Sequence, residues 1–471
     1  MTSLMTHTKV VFQTDDPLVQ KLSDSAEQKC IGNIRDFAGY KVLIEGGGYE
    51  KVWIETQPMG GAMYAKRNLE VALNNQKIFM DHQRADGRLP GSIEYSDGRL
   101  IPQFDKFQGF CFPDPALDVW YLTGKDPEFL ERLYEVLIKY DDYLWAVRDS
   151  DGDGCLESWG KYDTGEDNAE RYADAPNAWD KETPPEGFKV VPMASMDFMS
   201  FSVNARETLS AIAMLLGKEE LSSKHKEDAI KVRNRIKEYL WDENRGAFFD
   251  RDKDHKMMPS LIHNNLRMMY WKSMGDKEAE RFVKEHLINP REFWTKMPLP
   301  SVSVIDPLFR NERINNWSGQ PEALTYQRAI RALENYGYYS LIPVLGNSLF
   351  RAIGEECVFV QQYDPFTGKP SSEGTTGPQD AYGPALLSVL EYVSRMFGVD
   401  RVRDKLIWGS VTGADSKYEQ YFGEDVYTAE SVGNKAFFKI NGREIWSGKR
   451  GVRLETDFTG KVLSKYDMQY S

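Results

Sequence analysis

Residues 164–171 read Thr-Gly-Glu-Asp-Asn-Ala-Glu-Arg, a short acidic run inside a loop. A loop carboxyl that is half withdrawn from water has its pKa raised, and it can then carry a proton to a leaving group near neutral pH. Asp167 suits that work. Cleavage of a glycosidic bond with inversion needs a second carboxyl, roughly 6.5–9.5 Å away, to activate water on the opposite face. Taken alone, Glu166, Asp167 and Glu170 read as a solvated acidic face. The surrounding stretches change that reading.

Four further stretches carry chemistry-bearing residues. Trp53, Ile54 and Glu55 precede a long helical pattern, which Gln83-Arg84-Ala85-Asp86-Gly87 follows. Asn316-Trp317-Ser318-Gly319-Gln320-Pro321 leads into a helix that ends near Tyr336-Gly337-Tyr338. Val358 to Gly368 contains Gln361-Gln362-Tyr363-Asp364-Pro365. Glu373 and the run Gln379-Asp380-Ala381-Tyr382-Gly383 come next. In this order, over roughly residues 48 to 395, the motifs resemble the inverting (α/α)6-barrel glycoside hydrolases: trehalases, family 63 processing α-glucosidases and mannosylglycerate hydrolases.

The resemblance implies a set of roles. Asp167 is the general acid, with Arg171 one helical turn beyond it. Trp317 lines the sugar pocket, and Trp53, Trp159 and Tyr363 are further ring platforms. Glu55, Arg171 and Asp380 bind sugar hydroxyls. Two positions depart from the pattern. Ser318 stands where family 63 has an arginine, which removes a direct sugar contact. Gln361 stands where the family has its general-base glutamate, and a neutral amide takes no proton from water. Three readings stay open: a deliberate Glu→Gln change, a base supplied by Glu373, or a sugar-binding relative that hydrolyses nothing. A polysaccharide lyase on the same toroid is a further alternative, but six histidines and little basic character speak against it.

Asp149, Asp151 and Asp153, followed by Gly154, place oxygens at positions 1, 3 and 5 and a glycine at 6, as a calcium loop does. Position 12 is Gly160 rather than a bidentate glutamate. The run is therefore read as a tight Asp/Gly turn, with a structural Ca2+ as the alternative. No other cofactor is expected, because no phosphate-cradling glycine loop, HExxH or GxSxG occurs.

These residues need a frame. Helical spacing recurs over roughly 17–36, 60–84, 112–123, 126–144, 197–216, 223–241, 260–273, 276–287, 320–336, 339–354 and 380–397. Asp126-Pro127 and Gly217 supply a start and a stop signal. Ten to twelve paired helices predict a mainly α chain with two concentric rings of six, an (α/α)6 toroid over 1–405. Beyond it, 406–471 alternates apolar and polar residues. Asn441-Gly442 between two such runs is a hairpin signal. A small antiparallel β appendage is expected there.

The 471 residues carry a net charge of −13, which disfavours nucleic acid and anionic membranes as partners. No run of about 18 apolar residues is present to span a bilayer. Aromatic residues reach 13%, enough to supply both a large core and sugar-stacking rings. Cys30, Cys111, Cys155 and Cys357 are widely spaced and read as free thiols. Met1 to Gln13 shows no secretory leader, so a cytoplasmic location is expected, although a chain trimmed of its leader would read the same. The expected partner is a small carbohydrate.

Overall fold

The computed structural model describes residues 6–371 and 379–469. Twelve α-helices are found among them: α1 Pro17–Gly32, α2 Gln57–Tyr64, α3 Leu69–Asp81, α4 Pro113–Leu122, α5 Pro127–Val147, α6 Met196–Leu215, α7 Glu219–Leu240, α8 Asn264–Tyr270, α9 Asp276–Phe282, α10 Ala323–Asn335, α11 Leu341–Ile353 and α12 Gly383–Phe397.

Their starts follow local chemistry. Asp16 accepts hydrogen bonds from the Leu18 and Val19 backbone N–H groups ahead of Pro17, and Asp126 accepts from Glu128 ahead of Pro127. The helix expected over 60–84 is two helices. Asn68 is extended and its side chain accepts from the Val71 N–H, so it caps a new helix instead of continuing the old one.

Packing contacts run from α2 to α4, α4 to α6, α6 to α8, α8 to α10, α10 to α12, and from α12 back to α2. The even-numbered helices thus form a closed cycle. Odd-numbered helices pack outside them: α1 and α11 on α12, α3 on α2, α5 and α7 on α6. Burial follows position. Every residue of α12 is buried. In α7 only Ser222, Ala229, Val232, Ile236 and Leu240 are buried, which is one stripe of an otherwise charged helix. Each large apolar side chain moved into such a core contributes roughly 1.5–3 kcal/mol before entropy is subtracted. Close approach matters as well. A methyl at Gly346 of α11 would fall 2.8 Å from the Met396 sulfur and 3.0 Å from the Tyr392 ring, so Gly346→Val would wedge α11 off α12.

The C-terminal β structure is larger than the sequence suggested. One antiparallel sheet runs in the order Val399–Val402, Lys405–Ser410, Val452–Thr456, Val462–Asp467. A second runs Thr8–Thr14, Ser416–Phe422, Asp425–Val432, Lys435–Ile440, Arg443–Lys449. The boundary drawn at 405 therefore falls inside a hairpin, and the N-terminal strand belongs to this unit, with Thr8 opposite Phe422. Asn441 and Gly442 have φ of 51° and 76° and close a two-residue turn in which Ile440 pairs with Arg443. Trp408 and Phe438 stack between the sheets at 5.2 Å. No helix among the described residues is long and apolar enough to cross a membrane.

Candidate active site

The singled-out residues collect at one end of the helix cycle, just ahead of the even-numbered helices. Glu55 precedes α2, Gln108 precedes α4, Asp167 lies in the long connection to α6, His263 caps α8, Trp317 precedes α10, and Gln361 and Asp380 precede α12. Loops on a rigid frame carry the chemistry-bearing groups.

Asp167 is partly exposed. Its Oδ2 accepts a hydrogen bond from Asn315 Nδ2 at 3.0 Å, and its backbone carbonyl accepts from the Trp317 N–H at 3.1 Å. Its Oδ1 is enclosed and has no hydrogen-bond partner. Burial is the largest influence and pushes this carboxyl up to about 6, against the opposing pull of Asn315, Gln108 and Lys106.

The adjacent carboxyl behaves oppositely. Burial alone would raise Glu166, but Arg171, Arg267 and His263 outweigh it and hold the group well below the usual carboxylate range. Glu166 also accepts from Thr164 Oγ1 at 2.9 Å and Asn264 Nδ2 at 3.0 Å. His263 is forced down to about 4 by burial and is neutral. Of the two neighbours, only Asp167 can hold a proton near neutral pH.

Glu55 lies under the Asp167 loop. Burial raises it to about 7 despite Arg328, whose Nη2 donates to it at 2.9 Å; the charge of Asp167 adds to the rise. A methyl at Gly165 would fall 2.0 Å from Glu55 Oε2, and Gly165 has φ +70°. The glycine of the octapeptide is thus what lets the acidic loop seat on Glu55.

Gln361 is 7% exposed. Its Oε1 accepts from the Tyr49 hydroxyl at 3.0 Å, and its Nε2 donates to Asn315 Oδ1 at 3.2 Å. One amide, that of Asn315, therefore touches both Asp167 and Gln361. The two side chains are thus bridged by a single amide. Glu373 lies outside the described residues.

Several assigned roles need correcting. Trp159 is fully buried; its Nε1 donates to Glu157 Oε2 at 2.7 Å and Arg148 stacks 4.0 Å from its ring, so no face is open to a sugar. Tyr363 is likewise fully buried, with its hydroxyl enclosed. Arg171 is committed to Glu166 and Asp250. Asp380 accepts from the Phe359 and Ala381 N–H groups at 2.8 and 2.7 Å and pairs with Lys29. Arg171 is thus spent on its neighbours, whereas Asp380 stays exposed. Trp317 is 3% exposed, with His263 5.6 Å away and Arg267 5.1 Å above its ring. Trp53 is partly exposed, flanked by Lys51 and Lys106, and its indole N–H has no partner.

The Asp149–Asp153 run forms successive turns: Asp149, Asp151 and Asp153 accept from Gly154, Asp153 and Cys155 backbone N–H groups. Asp151, Asp153 and His255 bring ligand-type atoms within 4.8 Å of one another, so the third member of any cation set is His255 rather than Asp149. Sequence reading missed Tyr49, Gln108, Asn315 and His263. Tyr49 and Asn315 adjoin motifs that were recognised, but no spacing rule marks them.

The mannosylglycerate hydrolase MGH1-like glycoside hydrolase domain model matches residues 54–381. A family 63 mannosylglycerate hydrolase from Thermus thermophilus is 18% identical, with 79% of this chain and 100% of that chain covered at a TM-score of 0.60. A neutral trehalase from Saccharomyces cerevisiae is 14% identical, with 75% and 74% covered, at 0.56. A structure described as a sialidase is 13% identical and covers 96% of this chain but 42% of its own, at 0.74. No curated protein sequence matches. At these identities the structures speak for the fold, and the domain model speaks for the family. The chain belongs to the mannosylglycerate hydrolase MGH1-like glycoside hydrolases.

Proposed function

We propose that this glycoside hydrolase cleaves a small α-linked glucoside or mannoside with inversion, on an (α/α)6 toroid, with Asp167 as general acid. The closed cycle of even-numbered helices, with odd-numbered helices outside, supports the toroid. The observation that carries the mechanism is the setting of Asp167: its Oδ1 is enclosed, and burial raises the carboxyl while no cation pairs with it among the described residues.

Asp167 delivers its proton to the glycosidic oxygen as the bond breaks. Enclosure raises the carboxyl to about 6, so a protonated fraction persists toward neutral pH. Gln361 is engaged at both ends of its amide and takes no proton. We assign water activation to Glu373, which lies outside the described residues. Trp53 is the partly exposed ring of the cluster and the candidate sugar platform, with Lys51 and Lys106 beside it and the raised carboxyl of Glu55 two residues on. The family and its neighbours direct the substrate panel to mannosylglycerate, its gluco analogue and trehalose first.

The test is sugar release from that panel, with the anomer of the first product read by NMR. The expected product has inverted configuration, and Asp167→Asn and Glu373→Gln both abolish its formation. Retained configuration, or an active Asp167→Asn enzyme, overturns the reading. If Glu373→Gln is fully active while Gln361→Glu gains activity, the base belongs at 361.

A further inference from the structure

Tyr49, Gln361, Asn315 and Asp167 are joined by hydrogen bonds, with Asn315 Nδ2 also reaching back to the Tyr49 hydroxyl at 3.5 Å. The Tyr49 hydroxyl donates to Gln361 Oε1, Gln361 Nε2 donates to Asn315 Oδ1, and Asn315 Nδ2 donates to Asp167 Oδ2. An amide has one donating and one accepting end. Because Gln361 Nε2 faces Asn315, the accepting end of Asn315 must point to Gln361 and its donating end to Asp167. The Asn315 backbone is fixed as well: its carbonyl accepts from Asn168 Nδ2 at 2.7 Å, which ties it to the residue after the acid.

We propose that Asn315 is a positioning residue for Asp167: by donating to Oδ2 it fixes that oxygen as an acceptor and sets how firmly the carboxyl holds its proton. The inference rests on the reading of Asp167 as the acid. The donated bond also favours the ionised carboxylate, so Asn315 restrains the rise that enclosure imposes. Gln361 then has a use that a glutamate would not serve: a carboxylate at 361 has no N–H to give Asn315, and it would turn that amide around. The other groups facing Asp167 are Lys106 and Gln108, which favour its charge, and Glu55, which opposes it; Asp167 in turn raises Tyr162.

The test uses the intact chain and needs no substrate. Urea unfolding of the parent and of Asp167→Asn, compared from pH 4 to 9, gives a stability difference that levels off at the folded-state pKa of Asp167. The same comparison is made in Asn315→Ala and Asn315→Asp backgrounds. The levelling point is expected to move up by about one pH unit with alanine, which removes the donor. With aspartate, which has the same shape but opposes the charge, it moves further. Gln361→Met, which removes the key for the amide, moves it in the same direction by less. An unmoved levelling point in Asn315→Ala, with that variant folded, overturns the proposal, as does an aspartate variant that behaves like the parent. Sugar release by the Asp167→Asn form reports separately on the acid: activity there sinks that assignment, whereas an inactive form beside an unmoved levelling point sinks only the role of Asn315.

Discussion

Both ends of the helix cycle enclose carboxyls, but Asp167 and Glu55 at one end are treated oppositely to those at the other. At the N-terminal end, Asp167 has no cation in contact and rises to about 6, and Glu55 rises to about 7 although it shares Arg328. At the other end, residues of α2, α4, α6, α8, α10 and α12 line a cavity of ≈ 730 Å³, together with residues of the β unit. There Glu334 pairs with Arg395 at 2.8 Å and Arg453 at 2.6 Å. Asp114 pairs with Arg403 at 2.7 Å, and Asp400 with Lys66 and Arg395. Burial would raise all three, but the arginines win: Glu334 falls to about 2, and Asp114 and Asp400 also fall. Enclosure alone therefore does not mark a proton carrier. The number of cations within contact does. One end is locked as ion pairs that tie the β unit to the helices; the other keeps Asp167 and Glu55 near neutrality beside a Glu166 that Arg171 locks.

Substitutions can break this contrast, and the largest effect is at the acid. Asp167→Asn is expected to lower kcat by about 10²- to 10⁴-fold, while raising stability at pH 7 by about 2–3 kcal/mol, since it removes a carboxylate that folding holds in poor solvation. Activity assays and urea unfolding on one preparation check both halves. Glu334→Gln should do the reverse: it strands buried arginines, costs about 3–5 kcal/mol and leaves the pH profile of the reaction in place. Gln108→Lys would make the N-terminal end resemble the other. Asp167 should drop below its present value, and kcat at pH 6 should fall by about tenfold or more. The smallest effect is Arg403→Ala. It removes a partly exposed partner of Asp114 and Asp118 that Arg331 also serves, and it should cost about 1 kcal/mol in urea unfolding.

Much of the fold was legible because local signals coincide with packing. Asp126-Pro127 starts α5, and Asn441-Gly442 closes its hairpin as expected. The split between α2 and α3 was not legible, since Asn68 caps only in the backbone conformation that tertiary contacts impose. The pairing of Thr8–Thr14 with Ser416–Phe422 joins opposite ends of the chain, and no periodicity reports such a partner. At the site, Asp167 and Gln361 stood out because their motifs carry their neighbours with them. Trp159, Tyr363 and Arg171 stand away from their expected roles for one reason. A residue type gives its capacity, but its use depends on what surrounds it: Arg148 covers Trp159, and Glu166 and Asp250 occupy Arg171. Asn315 shows the converse, a common loop residue whose importance lies in touching two others.

The most direct measurement is the pH dependence of unfolding free energy for the parent chain, Asp167→Asn and Glu334→Gln. A carboxyl with a raised folded-state pKa binds more protons folded than unfolded between about pH 4 and 6, so its stability contribution falls as pH rises through that window. The advantage of Asp167→Asn over the parent should therefore grow by about 1.4 kcal/mol per pH unit from about pH 4 to 6 and then level off. Glu334 lies below the range, so the deficit of Glu334→Gln should stay constant from about pH 5 to 8 and shrink only as the medium is acidified toward about pH 2. An Asp167→Asn difference that is flat across about pH 4 to 8 would contradict the account, because Asp167 would then be an ordinary carboxylate with no proton to give.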